Sequence, residues 1–341
     1  MTLPRTVAAV IATYNRPDTL AVALRSVQLQ TRPVDEVIVV GDMCDDRTAR
    51  VVDQFSELPI RFINLPVRCG EQAIPNAIGT IRARSKHVAY LNHDDVWLPH
   101  HIETGLASLG SPGTRWFLGA SLFSYVGVPH DQGVRPVFSD VTVARRDLSR
   151  AFGKTLAYLE PVSSWIVERE AVLKAGNWRP ANDTRRTPVQ SLGLRLWRTV
   201  GSPVTVDEHS AVKLLGGDGD KPRYHTASGE HKYLGSLMAT HGLHWAELIT
   251  LEAGERFPRD ASITQDWDEL TPARLRALGA SGQPFWAWIF RLTGYDAVEA
   301  SLARAGADRG HHLTRLIVLR TGERSLTTLS VNDVLKVLDD S

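Results

Sequence analysis

Three short polar runs hold the residue types in this sequence that could do chemistry: Thr13-Tyr14-Asn15, Gly41-Asp42 and Asn92-His93-Asp94-Asp95. All three offer oxygen atoms. Asp42 can accept a hydrogen bond from a base N–H or a ribose hydroxyl. Asp94 can hold a hard divalent cation such as Mn²⁺ or Mg²⁺ while phosphate oxygens complete the shell. An acceptor for a base, a polar turn for a ribose and an acid for a phosphate-bound cation are what a nucleoside diphosphate sugar requires of a site. Each residue also has a plainer reading. Asp42 and Asp46 could be turn and cap acids after a strand, Asp94 and Asp95 loop and cap acids before Pro99, and His93 an exposed loop residue.

These runs must be positioned by the elements around them. Val7 to Ala12, Glu36 to Val40, Ile60 to Ile63 and His87 to Leu91 are short apolar runs that read as buried strands. Between them lie helical patterns: Leu20, Leu24 and Val27 behind a capping Asp18, then Val51, Val52 and Phe55, then Ile74, Ile78 and Ile81 with Pro75 in the first turn. Strands alternating with helices predict a mostly parallel sheet with helices on both faces. The three polar runs follow predicted strands directly, so they should share the sheet edge where open α/β folds bind ligands.

Further along, Trp116 to Val126 reads as a strand and Pro161 to Val167 as another that leads into a helix over Ala171 to Ala175, ended by Gly176. Leu192 to Val200 reads as one more helix and Val204 to Val206 as a late strand. The pattern changes at Gly216-Gly217-Asp218-Gly219-Asp220, so the expectation is an α/β domain over 1–215 and a smaller helical module over 216–341. In that module Pro284 to Phe290 is an aromatic patch, read either as a membrane or lipid-acceptor dock or as a buried helix. Lys213, His225 and His231 flank the linker and could touch a ligand, although no spacing rule selects them.

The bulk numbers exclude several classes. Lys+Arg 39 against Asp+Glu 38 gives no electrostatic case for a nucleic-acid partner. The two cysteines, Cys44 and Cys69, form neither a disulfide framework nor a zinc spacing, and no stretch is apolar enough to span a bilayer. The expectation is a cytoplasmic protein without a transmembrane segment, with association to a membrane left open.

The runs Val10 to Pro17, Val39 to Thr48 and Tyr90 to Pro99 resemble, in order and separation, the three N-terminal signatures of family-2 glycosyltransferases with the GT-A fold. The similarity is clear from Val7 to Leu109 and looser to Lys213. The resemblance implies a glycosyltransferase, hexosyltransferase-like, that uses a nucleotide-sugar donor, UDP-linked by default, with a metal ion. The acceptor could be a saccharide, a lipid-linked group or a small molecule. At matching positions it makes Asp94 the metal ligand and gives Thr13, Tyr14, Asn15, Asp42, Asn76, Asn92 and Asp95 to donor binding. Asn92 replaces the first acid of the family's D-x-D pattern and keeps a carbonyl oxygen without the charge.

Two departures bear on mechanism. Where the family commonly has Arg-Asn on the third helix to meet the diphosphate, this chain has Pro75-Asn76, and Arg68 or Arg82 become the alternatives. An inverting transferase also needs a carboxylate to deprotonate the acceptor hydroxyl, usually at the start of the helix after a Gly-x-Trp segment. Gly176-Asn177-Trp178 is present, but Thr187 to Leu192 has no acid. Three readings stand: Asp183 supplies the base, the reaction retains configuration, or the protein binds nucleotide sugar without turning it over.

Overall fold

The computed structural model describes residues 6–130, 133–140, 161–184, 187–214, 229–256 and 330–340. Its N-terminal half is built as the alternation predicts. Strands β1 (Val7–Thr13), β2 (Glu36–Gly41), β3 (Ile60–Asn64) and β4 (His87–Asn92) lie in the order β3-β2-β1-β4, every pair parallel. Between them run α1 (Pro17–Gln28), α2 (Asp46–Asp53) and α3 (Ala73–Arg82). Buried on both faces, β1, β2 and β4 read as near-continuous apolar runs, whereas β3, expected to be buried, is an edge strand of intermediate burial. Even so, the period of two decides which helix each residue meets. Ala8, Val10, Ile38 and Val40 face α3, while Val7, Ala9, Ile11, Val37 and Val39 face α1 and α2.

Beyond β4 the sheet becomes mixed. It continues through β8 (Trp165–Glu168), antiparallel to β4, then the long β6 (Trp116–His130), then β9 (Val204–Leu214), parallel to β6, and ends at β5 (Val96–Trp97). A hairpin partner, β7 (Gly133–Asp140), pairs with β6. The two-residue β5 is too short for periodicity to reveal. The expected strand over Pro161 to Val167 is a 3-10 turn, Val162–Ser164, followed by β8, and the late strand from Val204 runs on to Leu214.

α4 (His101–Ser108) packs with β6 and β9, and α5 (Arg169–Lys174) with α6 (Pro188–Val200). Asp18 does not cap α1: Arg16 is the N-cap residue, Pro17 follows at the first helical position, and Asp18 lies in the first turn. Gly176 ends α5 at φ +83°, a backbone conformation that glycine adopts without strain. Helices α7 (Gly229–His241) and α8 (Trp245–Arg256) cover the β5–β9 end of the sheet through Leu234, Met238, Trp245 and Ile249. The last helix, α9 (Val331–Asp339), lays Val334 on the α3 side of the core. The aromatic patch Pro284 to Phe290 and His225 lie outside the described residues.

Candidate functional site

Parallel pairing brings the predicted residues to one edge. Thr13 is in register with Gly41 and Ala12 with Asn92, so the loops after β1, β2 and β4 leave the sheet side by side. They are also stitched together. Asp42 donates its backbone N–H to the Thr13 carbonyl at 2.8 Å, and Asn15 Oδ1 accepts the Asp45 N–H at 2.8 Å. Asn15 adopts φ +45°, a left-handed conformation that Asn tolerates better than most residues.

Asp42 is buried, and its carboxylate accepts the N–H groups of Cys69 at 2.5 Å and Gly70 at 2.8 Å from the loop before α3. Burial raises its pKa, against the pull of those N–H donors and Arg68. Thr13 Oγ1 is buried and has no hydrogen-bond partner among the described residues. Arg68 lies over the Tyr14 ring, 4.1 Å from its centroid, and so belongs to this edge. Arg82 does not: it pairs with Asp339 at the other end of α3, which removes it as a substitute for the absent family Arg. Asn76 is buried in α3, one residue after Pro75, where its carbonyl accepts the Thr80 hydroxyl at 2.8 Å.

The loop after β4 meets the charges of Arg16 and Lys213, and its two acids behave differently. Asp95 is turned inward and saturated. Its Oδ2 accepts Asn92 Nδ2 at 2.9 Å and Ser163 Oγ at 2.5 Å, while its Oδ1 accepts Lys213 Nζ at 2.9 Å and the Leu214 N–H at 3.2 Å. Asp94 keeps 27% of its side chain exposed, and its Oδ2 accepts Arg16 Nη1 at 3.0 Å. Burial pushes its pKa up, but Lys213, His93, Arg16 and His231 outweigh that and hold the carboxyl well below the usual carboxylate range. His93 is no exposed loop residue. Half-buried, it meets Arg16 Nη1 through Nε2 at 3.0 Å and the Ala12 carbonyl through Nδ1 at 3.1 Å, and burial lowers its pKa to about 4.

Sequence reasoning missed one of the charges around Asp94, Arg16, and named Lys213 and His231 without placing them. Arg16 is the α1 N-cap residue, and only the fold shows its guanidinium at Asp94. Lys213 arrives on β9 and His231 on α7, where Nε2 lies 3.2 Å from the Asp94 carbonyl oxygen. The second group that the sequence did not single out is Glu71. Its Oε1 accepts the Ala181 N–H at 2.6 Å, and its Oε2 is buried without a partner among the described residues. Burial, with Asp42 and Asp183 nearby, raises its pKa to about 8.

Asp183 itself is exposed at the end of the 3-10 turn Ala181–Asp183. It lines a cavity of about 660 Å³ with Trp178, Arg179, Ser330 and Asn332. At the start of α6 the Thr187 side chain caps the Gln190 N–H, and no carboxylate is present in that turn. Among the described residues, no three His, Cys, Asp or Glu side chains come together as a metal cluster. A single carboxylate at a phosphate site still suits Mg²⁺ or Mn²⁺, which take one or two protein carboxylates together with substrate phosphates.

Comparison with known proteins finds a family resemblance over the part of the chain that builds this edge. Residues 8–159 match the model of glycosyl transferase family 2. The putative teichuronic acid biosynthesis glycosyltransferase TuaG of Bacillus subtilis is 28% identical over 129 residues, 37% of this chain and 51% of TuaG. The succinoglycan biosynthesis protein ExoO of Rhizobium meliloti is 30% identical over 106 residues, 31% of this chain and 30% of that protein. The matches thus span about half or less of these relatives' lengths. Among solved structures, S. aureus TarS 1-349 in complex with UDP-GlcNAc aligns with a TM-score of 0.52 at 16% identity, covering 94% of this chain and 93% of TarS 1-349. At that identity the likeness is one of fold, and the fold is that of GT-A glycosyltransferases. Among the described residues no helix is long and apolar enough to cross a membrane.

Proposed function

We propose that this chain, whose residues 8–159 are those of a family-2 glycosyltransferase, transfers a sugar from a nucleoside diphosphate donor to an acceptor hydroxyl. One observation carries the reading: the loops bearing Thr13, Asp42 and Asp94 leave three adjacent parallel strands at the same edge. In this reading Thr13 Oγ1 and Asp42 meet the nucleoside beside Tyr14 and Asn15, and Asp94 faces the diphosphate. Asn92 and Asp95 act through position, since Asp95 is consumed by four donors and ties the β4 loop to Lys213 and Ser163. Asn76, buried in the first turn of α3, is the donor-binding residue that helix supplies in this reading. UDP-sugars are the first donors to test, in line with the UDP-GlcNAc complex of TarS. A divalent cation, when bound, would neutralise the leaving diphosphate, and Asp94 would be its carboxylate ligand.

A non-catalytic nucleotide-sugar-binding protein is the second reading, favoured by the empty acid position at the start of α6. A screen of UDP- and GDP-sugars with Mn²⁺, scored for binding and for hydrolysis, separates the two. Binding with slow hydrolysis supports the transferase, binding with none under any acceptor mixture supports the binder, and no binding removes both. Asp94→Ala should abolish the Mn²⁺-dependent part of donor affinity while the melting temperature stays within a few degrees. Unchanged affinity would return Asp94 to a loop acid.

A further inference from the structure

We propose that His93 Nε2 and Asp94 Oδ2 are paired ligands for a divalent cation, and that Arg16 is the resident cation displaced from them onto the donor diphosphate. The inference rests on the reading of Asp94 as a cation ligand and adds the second ligand and the exchange. Its basis is a convergence: Arg16 Nη1 lies 3.0 Å from His93 Nε2 and 3.0 Å from Asp94 Oδ2, so one imidazole nitrogen and one carboxylate oxygen point at the same positive group. Because Nη1 is a donor, Nε2 must present its lone pair. The proton is then on Nδ1, which donates to the Ala12 carbonyl. A metal-bound histidine is held in the same way, with its second ring nitrogen anchored on a backbone carbonyl and its tautomer fixed.

Charge balance explains why Arg16 would exchange. Arg16 and Lys213 oppose Asp94 and Asp95, so the charges of these four side chains cancel. Moving Arg16 alone would leave Lys213, 4.0 Å away, as the ion-pair partner of Asp94 among the described residues. A divalent cation entering with the donor replaces the guanidinium at Asp94 and frees it for phosphate, whose oxygens match its planar fork. That gives the diphosphate an arginine in a chain that has Pro75 where the family commonly supplies one. A two-ligand protein site is also sufficient, because the phosphates provide the remaining oxygens.

The test uses the full chain with Mn²⁺ and a panel of UDP and GDP, read by pulsed electron paramagnetic resonance and by calorimetry. Wild-type protein should show imidazole ¹⁴N modulation on the Mn²⁺–nucleotide complex. His93→Ala should lose it and bind Mn²⁺ at least about tenfold more weakly, the lower end of what even outer-shell changes cost. Arg16→Ala should bind Mn²⁺ alone more tightly than wild type, since the competing cation is gone. It should bind the Mn²⁺–nucleotide complex about tenfold more weakly, as expected when a charged hydrogen bond is lost. His93→Asn and Arg16→Lys, checked by melting temperature, serve if the alanine variants do not fold. A nitrogen signal that is absent in wild type, or that survives in His93→Ala, overturns the inference while loss of Mn²⁺ binding in Asp94→Ala keeps the donor-site reading. Wild-type protein that binds no nucleotide with Mn²⁺ overturns both.

Discussion

Two carboxylates near the crevice differ enough to be separated by mutation. Asp183 is exposed and follows the Gly-x-Trp segment, so as general base it would act on the acceptor and not on the nucleotide. Asp183→Asn should then cut kcat by about a hundredfold or more and leave donor Kd unchanged, measured by turnover against calorimetry. Full activity would exclude Asp183. Glu71 differs because burial raises its pKa to about 8, against about 4.5 in the unfolded chain. The folded state therefore holds a proton that the unfolded state has released between those values, so Glu71 lowers stability as pH rises from about 4.5 through about 8. Glu71→Gln should flatten that decline in urea titrations at pH 5, 6.5 and 8. An unchanged slope would show that Glu71 does not carry the effect. Neither Glu71 nor Arg16 stood out in the sequence, since a single Glu or Arg in a loop is ordinarily a solvated surface charge.

At the scale of elements, the site depends on how closely α3 lies on β1 and β2, because the loop before α3 delivers the Cys69 and Gly70 N–H groups to Asp42. Gly79 sets that approach: a Cβ there would stand 2.4 Å from Val10 Cγ1. Alanine gains up to about 1 kcal/mol of helix propensity over glycine, whereas overpacking a filled interface costs about 1–3 kcal/mol. Overlap with a β-branched side chain in a buried strand should win. Gly79→Ala is expected to lower unfolding free energy by about 1 kcal/mol and to weaken nucleotide binding. A stabilised protein would mean that α3 can lift away without penalty. The strands and helices of this half were legible because each is long and regularly patterned. β5 and the 3-10 turn at Val162–Ser164 were not, since two- and three-residue elements are made by their neighbours.

For the molecule as a whole, late segments of the chain complete an early fold. Val334 on α9 is fully buried against the α3 side of the core, some 250 residues after the helices it meets in sequence. Val334→Asp should therefore destabilise the whole domain, by about 3 kcal/mol, and not fray only its own helix. A single shifted transition in urea would bear this out, and an early separate transition for α9 would not. By itself the sequence determined the four strands of the parallel half, though not their order, and the edge at which Thr13, Asp42 and Asp94 meet. The strands that carry the site, β1, β2 and β4, are near-continuous apolar runs, and a parallel sheet sends every following loop to the same side. Only the tertiary structure decided what surrounds Asp94. Arg16, Lys213 and His231 come from an α1 cap, from β9 and from α7, and their meeting depends on sheet register and helix packing that leave no periodic trace in the chain. Local spacing fixes which loops share an edge; the charges that face each other across that edge follow from long-range packing.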